Sequence, residues 1–379
     1  MFSDLRNTLS EIREFKRLPD ERKEIVFYSE IDSYYSHFKP IIDSLIKKGY
    51  SKNIAYLCSS KTDPGLKLSK MGMPAFNIQN DYLRTGLLNT IKTKVLLMST
   101  PDLQSFQIKR SVYPVHYVYI HHSMISTHMG YQKNAFDHFD TIFCVGPYQK
   151  IETRAHEKYY GLKQKNLIDH GYSRLDQILS KNSESKRPSN NRTVLLAPSW
   201  GEHCIIETIG EEVIQNLLDN NLKVIVRPHP QTIRLNERIV TKIRNLFDSN
   251  DNFYFDDDVT SSTSLYKSSL MISDWSGAAL EYAFGLKKPV LFIDLQRKVN
   301  NKAYKDLDIE PIEVSIRDKI GSIISMEDIS QIGKESEYLM KNSQNHYEKI
   351  TRLCDEYIFN IGYSGDAGAD ELIKILKSN

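Results

Sequence analysis

Short apolar runs alternate with amphipathic segments in two successive series, and this repetition restricts the fold more than any other feature of the sequence. Near-continuous apolar strands separated by helices indicate parallel sheets that are covered on both faces. The predicted strands of the first series are Glu24–Ile31, Asn53–Cys58, Lys94–Ser99, His116–His121 and Thr141–Val145. Those of the second series are Thr193–Pro198, Leu222–Val226, Asn252–Phe255, Leu270–Ser273 and Pro289–Leu295.

A polar segment, Ser180–Asn191, separates the two series and contains no large apolar residue. Such a composition predicts an exposed linker. We therefore expect an α/β protein of two doubly wound, Rossmann-like domains that face each other across a cleft. The predicted limits are 1–180 for the first domain and 192–350 for the second, with C-terminal helices in 351–379.

The charge balance excludes one broad class of function. The 379 residues include 50 Lys plus Arg and 48 Asp plus Glu, a formal net charge of +2. A generic nucleic-acid binder needs a basic excess to displace counterions, so we expect no nucleic-acid partner.

The cysteines and the apolar runs indicate where in the cell the protein is expected. Four cysteines stand alone in sequence, which argues against a disulfide framework and favours a reducing environment. The first residues lack the apolar core of a signal peptide, and no run approaches the roughly 18 apolar residues of a spanning helix. We expect a cytoplasmic protein.

The opening segment has the periodicity of an amphipathic helix. Its apolar residues recur at three- and four-residue spacing and are Phe2, Leu5, Leu9, Ile12 and Phe15. One interpretation is that this face packs on its own domain. The alternative is an interfacial helix that contacts a membrane surface, because one apolar face with basic flanks suits such a position.

Chemistry is expected where strands end, because open parallel sheets bind ligands outside their carboxyl ends. The strand His116–His121 runs directly into His122, and a histidine in a cleft can act as a general base near neutral pH. With His128 nearby, a metal site is an alternative, although adjacent side chains of a strand point to opposite faces. Histidines packed at a domain edge are the third interpretation.

The segment Arg227-Pro228-His229-Pro230 also follows a predicted strand. The prolines fix φ on either side of the histidine and remove backbone donors, so the loop offers side chains. Arg227 and His229 together suit a phosphate or diphosphate group. The alternative is a tight turn with an exposed histidine.

The segment from Ser273 to Glu281 places a helix start after a strand. Ser276 or Asp274 can cap that helix, and the free amides of its first turn form an anion site. Gly277 would let a phosphate approach the backbone, and Glu281, one turn further, would accept hydrogen bonds from ribose hydroxyls. The alternative is an ordinary capped helix.

Two further segments are expected at the same edge. Arg297 and Lys298 follow the strand Pro289–Leu295, and the loop Pro198–His203, which includes Ser199, follows the first strand of the second series. We expect both to line the cleft, with a solvated face as the alternative for the two cations.

Together these motifs resemble the CDP-glycerol glycerophosphotransferase family, whose members are GT-B-like enzymes of teichoic acid and capsule synthesis. The resemblance covers roughly Tyr113 to Leu295. It depends on the strand that ends in a histidine, on Arg227-Pro228-His229-Pro230, and on Ser273-Asp274-Trp275-Ser276-Gly277.

The resemblance implies roles for individual residues. His122 corresponds best to the family's first histidine and would be the base, with His121 as a rival, and His229 matches the second histidine. The donor would be bound by Arg227, Ser199, Asp274, Ser276, Gly277, Glu281 and Arg297. The resemblance also implies that the last helix, within Ala369–Lys377, packs back on the first domain.

The implied reaction transfers an alditol phosphate, glycerol phosphate or ribitol phosphate, from a CDP-activated donor to an acceptor hydroxyl and releases CMP. The acceptor would be a glycan or polyol phosphate, commonly lipid-linked, so peripheral contact with the inner face of the cell membrane is expected. No cofactor is required, with a Mg²⁺ requirement left open. Two other interpretations are a GT-B glycosyltransferase that uses a nucleotide-sugar and a non-catalytic glycan-assembly subunit.

Overall fold

A computed structural model describes residues 2–184, 192–258 and 262–378. Its strands, numbered in chain order, are β1 (Ile25–Ser29), β2 (Ile54–Cys58), β3 (Ala75–Asn77), β4 (Val95–Met98), β5 (His116–Ile120), β6 (Thr141–Cys144), β7 (Asn166–Asp169), β8 (Thr193–Leu196), β9 (Lys223–Val226), β10 (Phe253–Phe255), β11 (Leu270–Ser273), β12 (Val290–Ile293) and β13 (Gly321–Ile324). Every strand of the sequence-based prediction is present, with its ends shifted by up to two residues.

The helices separate the strands. They are α1 (Phe2–Arg17), α2 (Tyr35–Lys47), α3 (Asp81–Leu88), α4 (Thr127–Gly130), α5 (Pro147–Tyr160), α6 (Ser173–Glu184), α7 (Ile205–Thr208), α8 (Gly210–Asp219), α9 (Pro230–Leu235), α10 (Glu237–Phe247), α11 (Thr263–Lys267), α12 (Gly277–Leu286), α13 (Ile312–Ser315), α14 (Arg317–Ile320), α15 (Ile332–Lys341), α16 (Ser343–Tyr357) and α17 (Ser364–Ser378). Short 3-10 turns occur at Asp20–Lys23, Asp32–Tyr34, Ser51–Asn53, Pro64–Met71, Lys302–Leu307 and Ile329–Gln331.

Among the described residues the strands form two parallel sheets. The first has the order β3-β2-β1-β4-β5-β6-β7 and the second the order β10-β9-β8-β11-β12-β13. The order reverses beside the first strand of each sheet, where β1 pairs with both β2 and β4, and β8 with both β9 and β11. Such reversal points are where open α/β sheets bind ligands. The predicted α/β fold with two doubly wound halves is confirmed.

Sequence reasoning missed three strands, and all three lie at sheet edges. They are β3 and β7 in the first sheet and β13 in the second. Their residues are partly exposed, in contrast to the fully buried central strands. An edge strand needs no continuous apolar run, so the pattern that identified the central strands is absent from them.

The last helix packs on the first sheet. Ala369, Leu372 and Ile375 of α17 belong to the same buried cluster as Ile25 and Phe38. This agrees with the predicted return of the chain, and α17 begins at Ser364, five residues earlier than expected.

The opening helix uses its apolar face inside the protein. Ile12 and Phe15 are buried, and the Phe15 ring packs edge-on against Phe76 at 5.9 Å between centroids. Only Leu5 of this face is exposed among the described side chains. Ile12 and Phe15 therefore pack on the first half of the chain, as one interpretation predicted, and these two side chains are not available to insert into a membrane.

The predicted linker is in part a helix. Residues 180–184 complete α6, and residues 185–191 lie outside the described part of the chain. The polar composition of this stretch therefore begins inside a helix, and the domain limits stay a prediction. In the described residues, no helix has both the length and the apolar composition needed to cross a membrane.

Candidate active site

The two carboxyl edges meet where β5 and β11 end. Ser123 follows β5 by three residues, and its Oγ would lie 2.3 Å from a Cβ built on Gly277, at the start of α12. The absence of a side chain at Gly277 therefore lets the first half of the chain reach α12. The sequence assigned this space to a phosphate; the structure fills it with Ser123.

His122 lies at this junction with one ring nitrogen engaged. Its Nδ1 lies 3.0 Å from the carbonyl oxygen of Ser99 and 3.3 Å from the Tyr119 hydroxyl. A carbonyl oxygen only accepts, so Nδ1 carries the proton, and Nε2 presents its lone pair. Burial lowers the pKa of His122 to about 4, against the opposing effects of the Ser99 hydrogen bond and the Glu281 charge. At neutral pH the ring is therefore an uncharged base.

The rival base, His121, is placed differently. Its side chain is 1% exposed, and neither ring nitrogen has a hydrogen-bond partner among the described residues. The ring packs edge-on to Tyr119 at 4.9 Å and lies 5.4 Å from Phe136. Burial holds its pKa well below the usual value. This enclosure favours His122 as the group that meets a substrate.

His229 has the opposite tautomer. It is the N-cap of α9, and its Nδ1 accepts a hydrogen bond from the Gln231 amide at 3.1 Å. An accepting Nδ1 leaves the proton of the neutral ring on Nε2, so this side chain presents a donor. Burial, and then the charge of Lys298, lower its pKa to about 4. The Trp200 ring lies 6.0 Å away, which places His229 beside the predicted loop 198–203.

Asp274 holds that loop in place. Its side chain is buried, and its Oδ1 accepts from the amides of Ser199 at 2.7 Å and Trp275 at 2.6 Å. Its Oδ2 accepts from the Ile205 amide at 3.1 Å. Asp274 therefore acts on the site through the backbone that it positions, while Ser199 is 4% exposed with its hydroxyl 2.9 Å from Cys204 Sγ.

The start of α12 is capped as predicted. Ser276 Oγ accepts from the Ala278 amide at 3.3 Å, and the Ser276 carbonyl accepts from Ala279 at 3.1 Å. Gly277 is the first residue of α12, where the helix itself supplies no partner for the amide, so this amide can donate to an anion.

Glu281, one turn into α12, is bound from the first half of the chain. Its Oε1 accepts from the Tyr172 hydroxyl at 2.7 Å, and its Oε2 pairs with Arg174 Nε at 2.7 Å. The same Tyr172 hydroxyl lies 3.0 Å from the carbonyl oxygen of His122. A ribose that approached Glu281 would thus meet a carboxylate already fixed in orientation.

Of the predicted cations, Arg227 is paired with side chains of the second half, whereas Arg297 and Lys298 contact aromatic residues and the loop 198–203. Arg227 donates to Ser264 Oγ at 2.9 Å and pairs with Asp256 at 3.4 Å, and burial lowers its pKa. Arg297 is exposed. Its guanidinium lies 5.5 Å from the centre of the Trp275 ring and donates to the Tyr304 hydroxyl at 3.2 Å. Lys298 donates to the Trp200 carbonyl at 2.7 Å.

Sequence reasoning missed several residues of the site. Tyr34, Tyr131, Tyr172 and Arg174 surround His122 and Glu281, but no strand end carries them in an obvious motif. Their contacts span up to 109 residues of sequence, so local patterns contain no signal for them.

The metal interpretation of the histidines is not supported by their positions. His128 lies 3.0 Å from the Ile309 carbonyl through Nε2 and 3.4 Å from Glu152 through Nδ1. In the described part of the chain, no group of three or more histidine, cysteine or acidic side chains is placed to hold a metal ion.

The fold and these motifs define a GT-B-like transferase, and a family model identifies which kind. The model described as CDP-glycerol:poly(glycerophosphate) glycerophosphotransferase matches residues 12–351. The chain belongs to this family and is a CDP-glycerol glycerophosphotransferase-like enzyme. A search of curated proteins finds no match.

Solved structures with the same fold include members of two groups. A histidine-to-asparagine variant of the wall teichoic acid polymerase TagF, soaked with CDPG, is 16% identical with a TM-score of 0.58, over 100% of this chain and 98% of that one. A putative UDP-N-acetylglucosamine 2-epimerase from Listeria monocytogenes is 13% identical with a TM-score of 0.61, over 94% and 96% of the two chains. The UDP-GlcNAc 2-epimerase from Neisseria meningitidis, bound to UDP-GlcNAc, is 15% identical with a TM-score of 0.57, over 92% and 99%. These likenesses show the shared fold.

Proposed function

We propose that the protein transfers an alditol phosphate from a CDP-activated donor to an acceptor hydroxyl and releases CMP. The transferred group is proposed to be glycerol phosphate, with ribitol phosphate as the alternative. The product would belong to a teichoic-acid-like or capsule polymer. The observation that supports this most is the pair of opposite tautomers, a base at His122 Nε2 and a donor at His229 Nε2. Family membership adds the identity of the donor class.

In the proposed reaction, His122 removes the proton of the acceptor hydroxyl as its oxygen attacks the β-phosphorus of the donor. The new O–P bond forms while the bond to the CMP oxygen breaks, and the electron pair leaves with CMP. Proton transfer from a positioned base is worth roughly 10²–10⁴ in rate. The Ser99 carbonyl contributes by holding the imidazole in the tautomer that can accept.

The second half of the chain would stabilise the charge that develops. His229 Nε2–H, the Arg227 guanidinium and the Gly277 amide are proposed to donate to the oxygens of the diphosphate. Stabilising this charge is the main task in phosphoryl transfer. Asp274 supports the arrangement by fixing the loop beside His229 through three backbone amides. No cofactor is proposed, and a Mg²⁺ requirement is left to experiment.

The acceptor is proposed to be a hydroxyl of a glycan or polyol phosphate, with peripheral membrane contact if that acceptor is lipid-linked. We place the protein in the cytoplasm, where nucleotide-activated donors are made available. Because Ile12 and Phe15 of α1 are buried, a membrane contact would have to use other residues.

The test is a donor panel. The protein is incubated with CDP-glycerol, CDP-ribitol and a UDP-sugar, and nucleotide release is followed together with calorimetric binding. We expect CMP release from a CDP-alditol and none of UDP from the sugar nucleotide. Turnover of the UDP-sugar alone would replace this proposal with a glycosyltransferase.

The base is tested by comparing His122→Ala with His121→Phe, which keeps an aromatic ring in the buried position. We expect His122→Ala to retain donor binding and lose roughly 10²–10⁴ in turnover, with His121→Phe near normal. The reverse result would assign the base to His121. Normal turnover by both variants would remove this segment from the chemistry.

A further inference from the structure

Two buried carboxylates, one from each half of the chain, hold the segment that follows the base. Glu313, from the second half, accepts from the amide and hydroxyl of Ser126 at 2.9 and 2.8 Å. Glu152, in α5 of the first half, accepts through Oε2 from the amide and hydroxyl of Thr127 at 2.6 and 2.7 Å. These contacts fix two adjacent residues of a segment that lies four residues after His122.

The second oxygen of Glu152 lies beside His128. Glu152 Oε1 is 3.4 Å from His128 Nδ1, and both atoms are buried without a hydrogen-bond partner among the described residues. Both side chains are 1% exposed, so solvent does not reach this pair. Two atoms that each present only a lone pair repel each other, so a proton must lie between them.

The other ring nitrogen of His128 also donates. Nε2 lies 3.0 Å from the carbonyl oxygen of Ile309, and a carbonyl oxygen only accepts. With one proton on Nε2 and another between Nδ1 and the carboxylate, the ring fits this place as an imidazolium. Because Ile309 belongs to the second half, this one ring connects Glu152 of the first half with the second half of the chain.

The other charged groups around the ring have partners of their own. Asp137 and His156 form a pair at 3.1 Å, Lys165 lies 3.8 Å from Glu157, and Lys133 lies over the Tyr160 ring at 3.9 Å. In the described part of the chain, the cation that pairs with Glu152 is therefore His128. The titratable groups that pack on the His128 ring or line the same cavity are Glu152, Lys133, Asp137, His156 and Lys165 from the first half and Tyr304 and Glu313 from the second.

The same contacts decide the pH at which the proton is lost. Burial alone would lower the pKa of His128, but the hydrogen bond and the charge of Glu152 outweigh burial and raise the pKa above the usual 6.5. A contact with a raised pKa in the folded protein is fully present below the usual value and is lost as the pH rises through the raised one. Above that pH, the Nδ1 lone pair faces the Glu152 carboxylate.

Loss of this contact would reach the base through the backbone. Asn301 donates to the His128 carbonyl at 2.8 Å, and Asn300 donates to the Gly130 carbonyl at 2.7 Å. The ring and the backbone of His128 are thus bound to one loop of the second half, residues 300–309. A ring that leaves this place loosens the junction six residues from His122.

We infer that His128 is a positioning residue whose imidazolium holds the segment that carries the base against the second half, and that its deprotonation at alkaline pH releases this junction. The inference rests on the proposed function, because it concerns a reaction whose base is His122. Turnover is then confined between an acidic limit set by protonation of His122 and an alkaline limit set by deprotonation of His128.

The first test is the alkaline side of the pH profile. We measure kcat for CMP release at saturating CDP-glycerol from about pH 6 to about pH 9.5, on both sides of the usual histidine value, and return each sample to pH 7 to check recovery. A misplacement of about 1 Å can cost about 10²-fold in rate, so we expect a fall of roughly tenfold to a hundredfold. The radius of gyration, from small-angle scattering, should rise over the same pH range. A constant kcat would overturn the inference.

The variant Glu152→Gln should reverse the preferred state of the ring. Its side-chain oxygen can accept from Thr127 as before, while its amide group donates to Nδ1 of a neutral His128 that still donates to Ile309. We therefore expect the alkaline fall to disappear. A variant that loses the same factor in kcat at every pH and keeps the fall would show a merely structural role for this pair, which would contradict the inference.

The control is His156→Gln. His156 lies in the same helix as Glu152 and pairs with Asp137, and both partners belong to the first half. We expect this variant to keep the alkaline fall of the unchanged protein. If His156→Gln abolished the fall and Glu152→Gln kept it, the titrating group would be His156 and the inference would be wrong.

Histidine NMR without donor separates this inference from the proposed function. The imidazole resonance that is absent from His128→Gln reports the protonation of His128, and its midpoint should lie above 6.5 in the unchanged protein and below 6.5 in Glu152→Gln. A protein with these midpoints that releases no CMP from any CDP-alditol keeps the pH-dependent junction and loses the proposed reaction. A protein that releases CMP while His128 titrates below 6.5 keeps the reaction and loses this inference.

Discussion

The hydroxyl of Tyr172, in the first half of the chain, lies 2.7 Å from Glu281 Oε1, in the second half. Because the same hydroxyl is 3.0 Å from the His122 carbonyl, one phenol connects the backbone of the proposed base with the helix that would hold the donor. Burial raises the pKa of Tyr172, so the phenol stays protonated and can donate a hydrogen bond. The geometry of the base therefore depends on a contact between the two halves.

Removing this hydroxyl should destabilise the protein and misplace the base. Tyr172→Phe leaves Glu281 Oε1 without its neighbour, and a lost hydrogen bond to a charged group costs about 1.5–3 kcal/mol. The matched control is Tyr148→Phe, whose hydroxyl donates to the Met124 carbonyl at 2.7 Å and involves no charge. We expect chemical denaturation to show a larger loss for Tyr172→Phe, and turnover to fall more. Equal losses of both quantities would contradict a special role for Tyr172.

The pH dependence of turnover should follow His122. Burial lowers its pKa to about 4 in the folded protein, so the Nε2 lone pair is present above that pH and lost below it. We expect kcat/KM for CMP release to rise with pH through about 4 and not through the usual histidine value near 6.5. Samples returned from each pH to 7 before assay report on unfolding, and only points with full recovery enter the profile. A midpoint near 6.5 with full recovery would show that His122 is solvated or not the base.

A second contact between the halves, from Ser126 to Glu313, should contribute to the stability of the protein. Glu313, in α13, accepts from the amide and hydroxyl of Ser126 at 2.9 and 2.8 Å, and burial raises the pKa of Glu313. Glu313→Gln replaces one acceptor oxygen by a donor that faces Ser126, whereas Ser126→Ala removes only the hydroxyl. We expect Glu313→Gln to lower the free energy of unfolding by about 1–3 kcal/mol, and Ser126→Ala to cost less. The check is denaturant unfolding of both variants, and an Ser126→Ala loss that exceeds that of Glu313→Gln would contradict the assignment.

The central strands and the residues at their ends were predictable because both depend on local sequence. A strand buried on both faces must be apolar throughout, and the chemistry at its carboxyl end follows it immediately, as in Ile120-His121-His122. The N-cap at Ser276 and the left-handed Gly49 after α2, with φ of 87°, are equally local. These features needed no knowledge of how the two halves approach each other.

The remaining features depend on contacts that no local pattern encodes. Which histidine of a pair is enclosed follows from the rings of Tyr119 and Phe136, and the tautomer of His122 follows from a carbonyl 23 residues earlier. Asp274 is enclosed by backbone amides that donate to its carboxylate, one of them 75 residues away in sequence. Sequence reasoning identified these side chains as important and placed Asp274 against the donor, whereas in the structure Asp274 holds backbone amides of the neighbouring loop.

The last prediction concerns the closest approach of the two halves. A Cβ at Gly277 would lie 2.3 Å from Ser123 Oγ and 3.3 Å from Ile125 Cγ2, so Gly277→Ala requires Ser123 to move away from the start of α12. We expect the variant to fold, to bind CDP-glycerol more weakly and to lose at least tenfold in turnover.

Removing the obstacle should restore function, because Ser123→Ala deletes Oγ and leaves Ser123 Cβ at 3.7 Å, an ordinary contact distance. The double variant Ser123→Ala/Gly277→Ala should therefore recover most of the turnover lost by Gly277→Ala, with Ser123→Ala alone near normal. Single-turnover CMP release gives the coupling between the two substitutions as a double-mutant cycle. Recovery in the double variant would show that the lost activity came from steric separation of His122 and the start of α12. Additive losses would instead mean that the added methyl group obstructs the donor itself, and that its contact with Ser123 does not cause the lost activity.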